Sequence, residues 1–543
     1  MGEPADLILA DASVWCGDAS RRWAAAVAVR GDRIVAVGSD VGDHRGPGTQ
    51  VLSLTGKTVV PGFCDSHIHP AFGARNLLNV NLDDLDTREA YLERIGAVAQ
   101  ANPDLEWIVG GGWYSPMFAA TGGPLKEDLD AIVPDRPVFL MNSDVHAAWL
   151  NSRALQAAGL TAGSPDPWDG YLVRDADGSL TGCLQEGAAY TVLRQVIDQP
   201  SVDQWKAYLL RAQQELHALG VTGWQDAWVE PDLLRAYRDL ADQGSLTMRV
   251  VAAQWWNRHE GMGQLDGFDE RREWATGGNL DAGTVKIMLD GCPESCTASM
   301  LEPFEGTFGE RHGKGISFVE PEALREAVVS LDARGFQVHQ HALGDGAIRS
   351  ALDAVETARR TNGWNDARHH IAHLQLPHPD DVARLRRVGA IANIQPFWAQ
   401  PDPAIEQLAV PRIGERAARL YPLGDIVRSG ATMAFGSDWP VTTPNPWLEL
   451  EVAVTRQIPG DPGAGPLDAT QRIDLGTAMS AFARGSAYLN HDDEAGVLAP
   501  GMRADLVVLD RDPFDRERGA IGETTVEMTL AAGRVVFDAG TIS

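Results

Sequence analysis

Histidines and acids recur in this chain at the ends of short apolar runs. Pro61-Gly62-Phe63-Cys64-Asp65-Ser66-His67-Ile68-His69-Pro70 follows the β-type run Thr58-Val59-Val60. On a strand, residues two apart share a face with Cβ atoms about 7 Å apart, so His67 and His69 can hold one divalent ion from a rigid element. A surface H-x-H reads the same, so the pair alone does not decide. A second H-x-H, His339 and His341, lies within Phe336 to Asp345, and His370 and His373 follow one βα unit later. Phe435-Gly436-Ser437-Asp438-Trp439-Pro440 then ends an apolar run with an acid beside a Gly-Ser turn. If these runs are strands of one parallel barrel, their C-terminal ends meet on one face and the groups converge. Two histidines from one strand, single histidines from two others and one aspartate form a donor set suited to zinc or a similar ion.

The elements needed to position these residues are legible in the middle of the chain. Thr284 to Leu289, Phe336 to Leu343, His369 to Leu374, Ala390 to Ile394 and Ala431 to Phe435 read as strands. Pro321 to Arg334, Ala347 to Arg360, Pro379 to Val388 and Pro422 to Ser429 read as helices by their i, i+3, i+4 apolar spacing. This β-then-α repetition is the signature of a parallel sheet, open or closed. No G-x-G-x-x-G follows the first strand, and neither a phosphate-binding G-x-x-x-x-G-K-[ST] nor a G-x-S-x-G nucleophile elbow occurs. A closed (β/α)8 TIM-like barrel is therefore the expected α/β fold. Both ends are strand-rich: Leu7 to Leu9, Ala25 to Val29 and Ile34 to Val37 at one end, Ala504 to Leu509, Val526 to Leu530 and Val535 to Phe537 at the other. They are expected to form one small β-sandwich, residues 1–60 with 490–543, around a barrel over 61–489; two unrelated terminal hairpins are the alternative. An insertion at about 71–215, after the first barrel strand, is too long for one βα loop and is expected to shape the pocket. Its Gly110-Gly111-Gly112-Trp113 and Ser164-Pro165-Asp166-Pro167 read as loops.

Composition narrows the function. The 543 residues carry 46 Lys and Arg against 75 Asp and Glu, a formal charge of −29, which repels nucleic acid and anionic membranes. No apolar run approaches the ~20 residues of a membrane span. Five cysteines, Cys16, Cys64, Cys183, Cys292 and Cys296, are scattered and never spaced C-x-x-C, which argues against a disulfide scaffold or zinc knuckle. With no basic-then-apolar leader at the start, a reducing cytoplasmic compartment is expected, with a small-molecule substrate as partner and a homo-oligomer left open.

D-S-H-I-H-P, V-x-x-H-A-L-G-D, H-L-Q and G-S-D-W-P-V, flanked by V-V-P-G-F and G-x-R-A-D-L-V-V-L-D, resemble the amidohydrolase superfamily. More narrowly they resemble its YtcJ-like branch, which includes N-substituted formamide deformylases, and the likeness runs from Leu7 to Val536. The resemblance implies metal ligands at His67 and His69 on strand 1, His341 on strand 5 and His373 on strand 6. It implies that Asp438 on strand 8 binds metal, orients the attacking water and takes its proton. Thr284 to Gly291 resembles the strand that carries a carboxylated lysine bridging two metals, which puts Lys286 in the ligand set. Pairing of Lys286 with an acid such as Asp290 is the other explanation for a buried ammonium. His339 is left as a neighbour of the ligands, a substrate contact or a packed core residue. Gly346 and Ala372 depart from the pattern, standing where such sequences often carry Arg and Glu. Cys292 and Cys296 fall near the expected site as pocket lining or, by thiolate softness, as ligands.

These readings imply a hydrolase of a non-peptide C–N bond in an amide, formamide, carbamate or cyclic amide, using one or two divalent ions, zinc foremost. Pocket contacts are expected from Trp113, His146, Glu186, Asp290, His339 and Trp439, with His146 equally suited to capping a helix. Trp149 and Trp398 are further tryptophans expected near the mouth. A heterocycle deaminase, an esterase or lactonase, and a barrel that only binds are the alternatives.

Overall fold

The computed structural model describes residues 4–121, 123–461, 463 and 465–542. Eight parallel strands form one sheet in sequential order: β1 (Phe63–Ile68), β2 (Val221–Val229), β3 (Arg249–Trp255), β4 (Leu280–Met288), β5 (Gln337–Ala342), β6 (His370–His373), β7 (Ile391–Ile394) and β8 (Met433–Phe435). Hydrogen bonds rather than a ladder join β8 back to β1: Ser66 Oγ donates to Phe435 O at 2.7 Å and Asp438 N to His67 O at 2.7 Å. The expected barrel is present. The strands are buried on both faces, so β3, β7 and β8 read as largely apolar runs while the others bury polar residues that turn to the barrel interior. β2 and β3, which strand signals in the sequence did not single out, complete it.

The two ends of the chain build two further sheets. Arg33–Gly38, Ala26–Arg30, Leu7–Ala10 and Gln50–Ser53 form one. Arg534–Asp538, Val526–Ala531, Leu506–Leu509, Thr58–Pro61, Ser13–Trp15 and Trp23–Ala24 form the other, so the expected sandwich is composite. Val59 and Val60 pair with Val508 and Val507, and Leu9, Val14, Val27, Val59, Leu506 and Leu530 pack between the sheets. Thr58–Pro61 runs directly into β1, where Gly62 N donates to Asp505 O at 3.0 Å, so the C-terminal strands anchor the base of the strand that carries His67.

Between β1 and β2 lies a six-stranded sheet of Gly170–Arg174, Leu180–Glu186, Ala147–Leu150, Val138–Asn142, Ile108–Trp113 and Val80–Asn81. Helix Val202–Ala218 then returns to the barrel wall, where Trp205, Leu209, Ala212 and Leu216 join the core that holds Phe63, Val221 and Trp224. The glycine run is a correction to the sequence reading, because Ile108–Trp113 is a strand and not a loop. A Cβ on Gly110 would stand 2.1 Å from Val80 O, so these glycines let adjacent backbones approach.

Gly110→Ala should therefore cost about 1–3 kcal/mol by overpacking. Gly96→Ala, inside helix Arg88–Ala101 with open space around the Cβ position, should gain up to about 1 kcal/mol. Chemical denaturation of both variants checks this; equal effects would contradict the packing account.

Candidate metal centre and its cavity

Strand register stacks the candidate groups. Lys286 on β4 pairs with His339 on β5, which pairs with His370 on β6; one level higher His341 pairs with Ala372. Alternation therefore turns His339, His341 and His370 to the inner face and would turn His373 away. Left-handed backbone at His373 (φ 76) and Leu374 (φ 49) brings its ring back, to 4.6 Å from that of His67 and 4.4 Å from that of His341. Asp438, just beyond β8, is also left-handed (φ 58) and is fixed by its N–H on His67 O. Such conformations cost about 1–3 kcal/mol each and persist where the surroundings over-determine them. Gly436 allows the approach, since a Cβ there would meet His67 N at 2.4 Å.

Asp438 Oδ1 lies 3.2 Å from His67 Nε2 and 3.1 Å from His69 Nε2, and the donor atoms of these three residues all lie within 4.8 Å of one another. Asp438 Oδ2 is 3.9 Å from His373 Nδ1. His67 is 1% exposed, and burial followed by the charge of Lys286 lowers its pKa to about 3. Burial likewise holds His339, His341 and His373 well below the usual imidazole value. Neutral imidazoles are the form that binds metal. Asp438 stays ionised, well below the usual carboxylate range: burial opposes this, and the surrounding His67, His69 and His373 outweigh it. Asp438 Oδ1, His341 Nδ1 and both nitrogens of His373 are buried with no hydrogen-bond partner among the described residues. Buried polar atoms are ordinarily satisfied. Ring nitrogens and a carboxylate oxygen turned together without a shared hydrogen bond are the donor set a cation would join, so the residues fit a divalent ion.

Around this centre His339 Nε2 lies 2.9 Å from His67 Nδ1 and 3.4 Å from Lys286 Nζ. Burial lowers Lys286 to about 7, against the attraction of Asp438 and Asp226. Asp290 does not pair with it; its carboxylate accepts from Ser299 N, Leu343 N and Gly344 N at 2.9, 3.1 and 2.9 Å. His146, from the insertion, is in the site rather than on a helix end: its ring is 5.7 Å from that of His341 and its Nδ1 is 2.9 Å from Glu186 Oε1. Burial alone would lower His146, but the Glu186 carboxylate raises it to about 9. Glu186 is wholly buried and also accepts from Thr297 Oγ1 at 2.6 Å.

A cavity of about 690 Å³ opens over the barrel mouth, lined by His146, Cys292, Trp398 and Trp439 among others. Trp398 stacks on His373 with ring centroids 5.3 Å apart, which places the inner end of the cavity at the centre. A smaller cavity of about 70 Å³ is lined by His69, Phe72, Tyr190, Trp228 and Pro440. Trp113 and Trp149 lie in the core of the insertion instead of at the mouth, their indole N–H groups taken by Leu140 O and Leu125 O. Trp113 also borders a side cavity. Cys296 is buried, and among the described residues no thiol joins the donor cluster.

Several contributors escaped the sequence reading. Asp65, inside the D-S-H motif, accepts from His67 N and Ser437 N, tying β1 to the loop after β8. Asn393 on β7 bonds Ser66 Oγ and O. Asp226 on β2 accepts from Tyr237 Oη at 2.7 Å. An acid inside the run Val221 to Val229 was the available signal for the last.

Comparison with known proteins agrees with the geometry. The chain is 28% identical over 501 residues to the putative amidohydrolase YtcJ of Bacillus subtilis (strain 168), covering 91% of each. It is 27% identical over 568 residues to an N-substituted formamide deformylase of Arthrobacter pascens, covering 99% of each. The crystal structure of an uncharacterized metal-dependent hydrolase from Pyrococcus horikoshii OT3 superposes with a TM-score of 0.74 at 25% identity, over 95% of this chain and 99% of that one. Among the described residues no helix is long and apolar enough to cross a membrane. The amidohydrolase family profile matches residues 50–537, nearly the whole chain, and the protein belongs to that family.

Proposed function

We propose that this protein hydrolyses the C–N bond of a small amide, a formamide foremost, with a divalent ion held by His67, His69, His341, His373 and Asp438. Three imidazoles or more with one carboxylate favour zinc. The observation that carries the reading is the convergence of His67, His69 and Asp438 donor atoms within 4.8 Å at the foot of a cavity. When bound, the ion supplies an electrophile for the scissile carbonyl and lowers the pKa of water towards ~7.

The chain's own groups do the rest. Asp438, kept ionised and fixed through its backbone N–H on His67 O, accepts the proton of the attacking water at a carboxylate oxygen and returns it to the leaving nitrogen. His146, kept protonated by Glu186, donates to the carbonyl oxygen as it gains charge. His339 holds the His67 ring in place through its Nδ1. Lys286, lowered by burial to about 7 and lying 3.4 Å from His339 Nε2 beside the cluster, has the free-amine form that takes up carbon dioxide; carboxylated, it would offer oxygen ligands to a second ion. The cavity of about 70 Å³ beside His69 suits a small acyl group, and the one of about 690 Å³ suits a bulky N-substituent. The formamide deformylase named above supports the same substrate class.

Asp438→Asn should keep fold and metal while lowering kcat on an N-substituted formamide by at least about 10²-fold; wild-type rates would remove Asp438 from the chemistry. Lys286→Ala should lower metal content, with partial rescue by a short carboxylic acid, and unchanged stoichiometry would end the bridging idea. His146, raised from 6.5 to about 9, contributes stability that is full below pH 6.5 and lost as pH rises through 9. Melting temperature should therefore fall over that window in the wild type and fall less in Glu186→Gln; parallel profiles would contradict the pairing.

A further inference from the structure

The wall of the large cavity has a charge that the amide reading does not require. Besides the exposed Asp83, Asp84 and Asp86, three half-buried carboxylates from three separate loops line it, Asp144, Glu294 and Asp402, and no residue lining it is Lys or Arg. Their partners are neutral donors: Asp144 accepts from Asn142 Nδ2 and from His146 N at 2.9 Å, Glu294 from Gln375 Nε2 at 2.7 Å, and Asp402 from Ile405 N at 2.9 Å and the Tyr114 hydroxyl. Among the described residues no Lys or Arg forms an ion pair with any of the three. The cation at the cavity edge, His146, has its charge met by Glu186. The same wall presents the rings of Tyr114, Trp398 and Tyr421.

Carboxylates withdrawn from water without an opposite charge are costly to hold. Burial raises Glu294 to about 7 and Asp402 to about 6, and raises Asp144 as well. Such groups are relieved by a cation, and aromatic faces attract one through their quadrupoles. A neutral substituent would gain no charge attraction from these three residues, and an anionic one would be repelled.

We propose that the large cavity selects substrates carrying an organic cation, an amide whose far end bears a protonated or quaternary amine held between Asp144, Glu294 and Asp402 and the rings of Tyr114, Trp398 and Tyr421. This rests on the preceding reading in taking the cavity as the place of the N-substituent, and it adds the substituent's charge.

The test is binding, which separates it from turnover. Choline and its uncharged isostere 3,3-dimethylbutanol, both bearing one hydroxyl, are titrated into full-length zinc-loaded protein and followed by tryptophan fluorescence and calorimetry. Choline should bind at least about tenfold more tightly, and the ratio should shrink towards one in Glu294→Gln and Asp402→Asn. Equal affinities, no choline binding, or a ratio untouched by both substitutions would overturn the proposal. Formamide hydrolysis without cation preference would leave the hydrolase reading standing and remove this one. Choline preference in a protein that hydrolyses no amide would do the reverse.

Discussion

The structure depends on one electrostatic constraint: many titratable side chains share a dry space at the C-terminal ends of the barrel strands. Six imidazoles (His67, His69, His339, His341, His370 and His373), the Lys286 amine and the Asp438 carboxylate gather there, all with under a tenth of their surface exposed. Burial holds His67, His339, His341 and His373 neutral and pushes Lys286 towards neutrality, while Asp438 stays ionised among them. A space so rich in lone pairs is stable as a cation site and poor as a packed core. The left-handed residues at His373 and Asp438 are the backbone cost of assembling it.

The rest of the fold reads as support for that space. The composite sandwich grips the start of β1 through Thr58–Pro61, and Asp65 and Asn393 tie β1 to the loop after β8 and to β7. The insertion supplies the hydrogen-bonded pair His146 and Glu186, so part of the cavity's inner wall comes from outside the barrel. The same insertion, with the loops after β4 and β7, closes the cavity whose carboxylates set its polarity.

What the sequence revealed follows from how local each signal was. His67, His69 and Asp438 were legible because an H-x-H on a strand and an acid at a strand end state their geometry within a few residues. His373 was not legible by alternation, which turns it outward; its place depends on backbone that no periodicity encodes. β2 escaped because Val221-Thr222-Gly223-Trp224-Gln225-Asp226 mixes polar and apolar residues, yet Gln225 and Asp226 are wholly buried and bonded to Gln337, Asn490 and Tyr237. Gly110 read as a loop because glycine usually marks one, whereas here it admits a neighbouring strand. Asp144, Glu294 and Asp402 come from unrelated loops, so their convergence had no sequence signature at all.

The central claim, that the His67, His69, His341, His373 and Asp438 cluster is a metal centre, is tested most directly by metal content. Inductively coupled plasma mass spectrometry on protein purified without chelator should find at least one divalent ion per chain, and two if Lys286 bridges. Replacement of His67 and His69 by Asn should abolish it. A chain that holds no ion even after metal is added back, while remaining folded, would contradict the account.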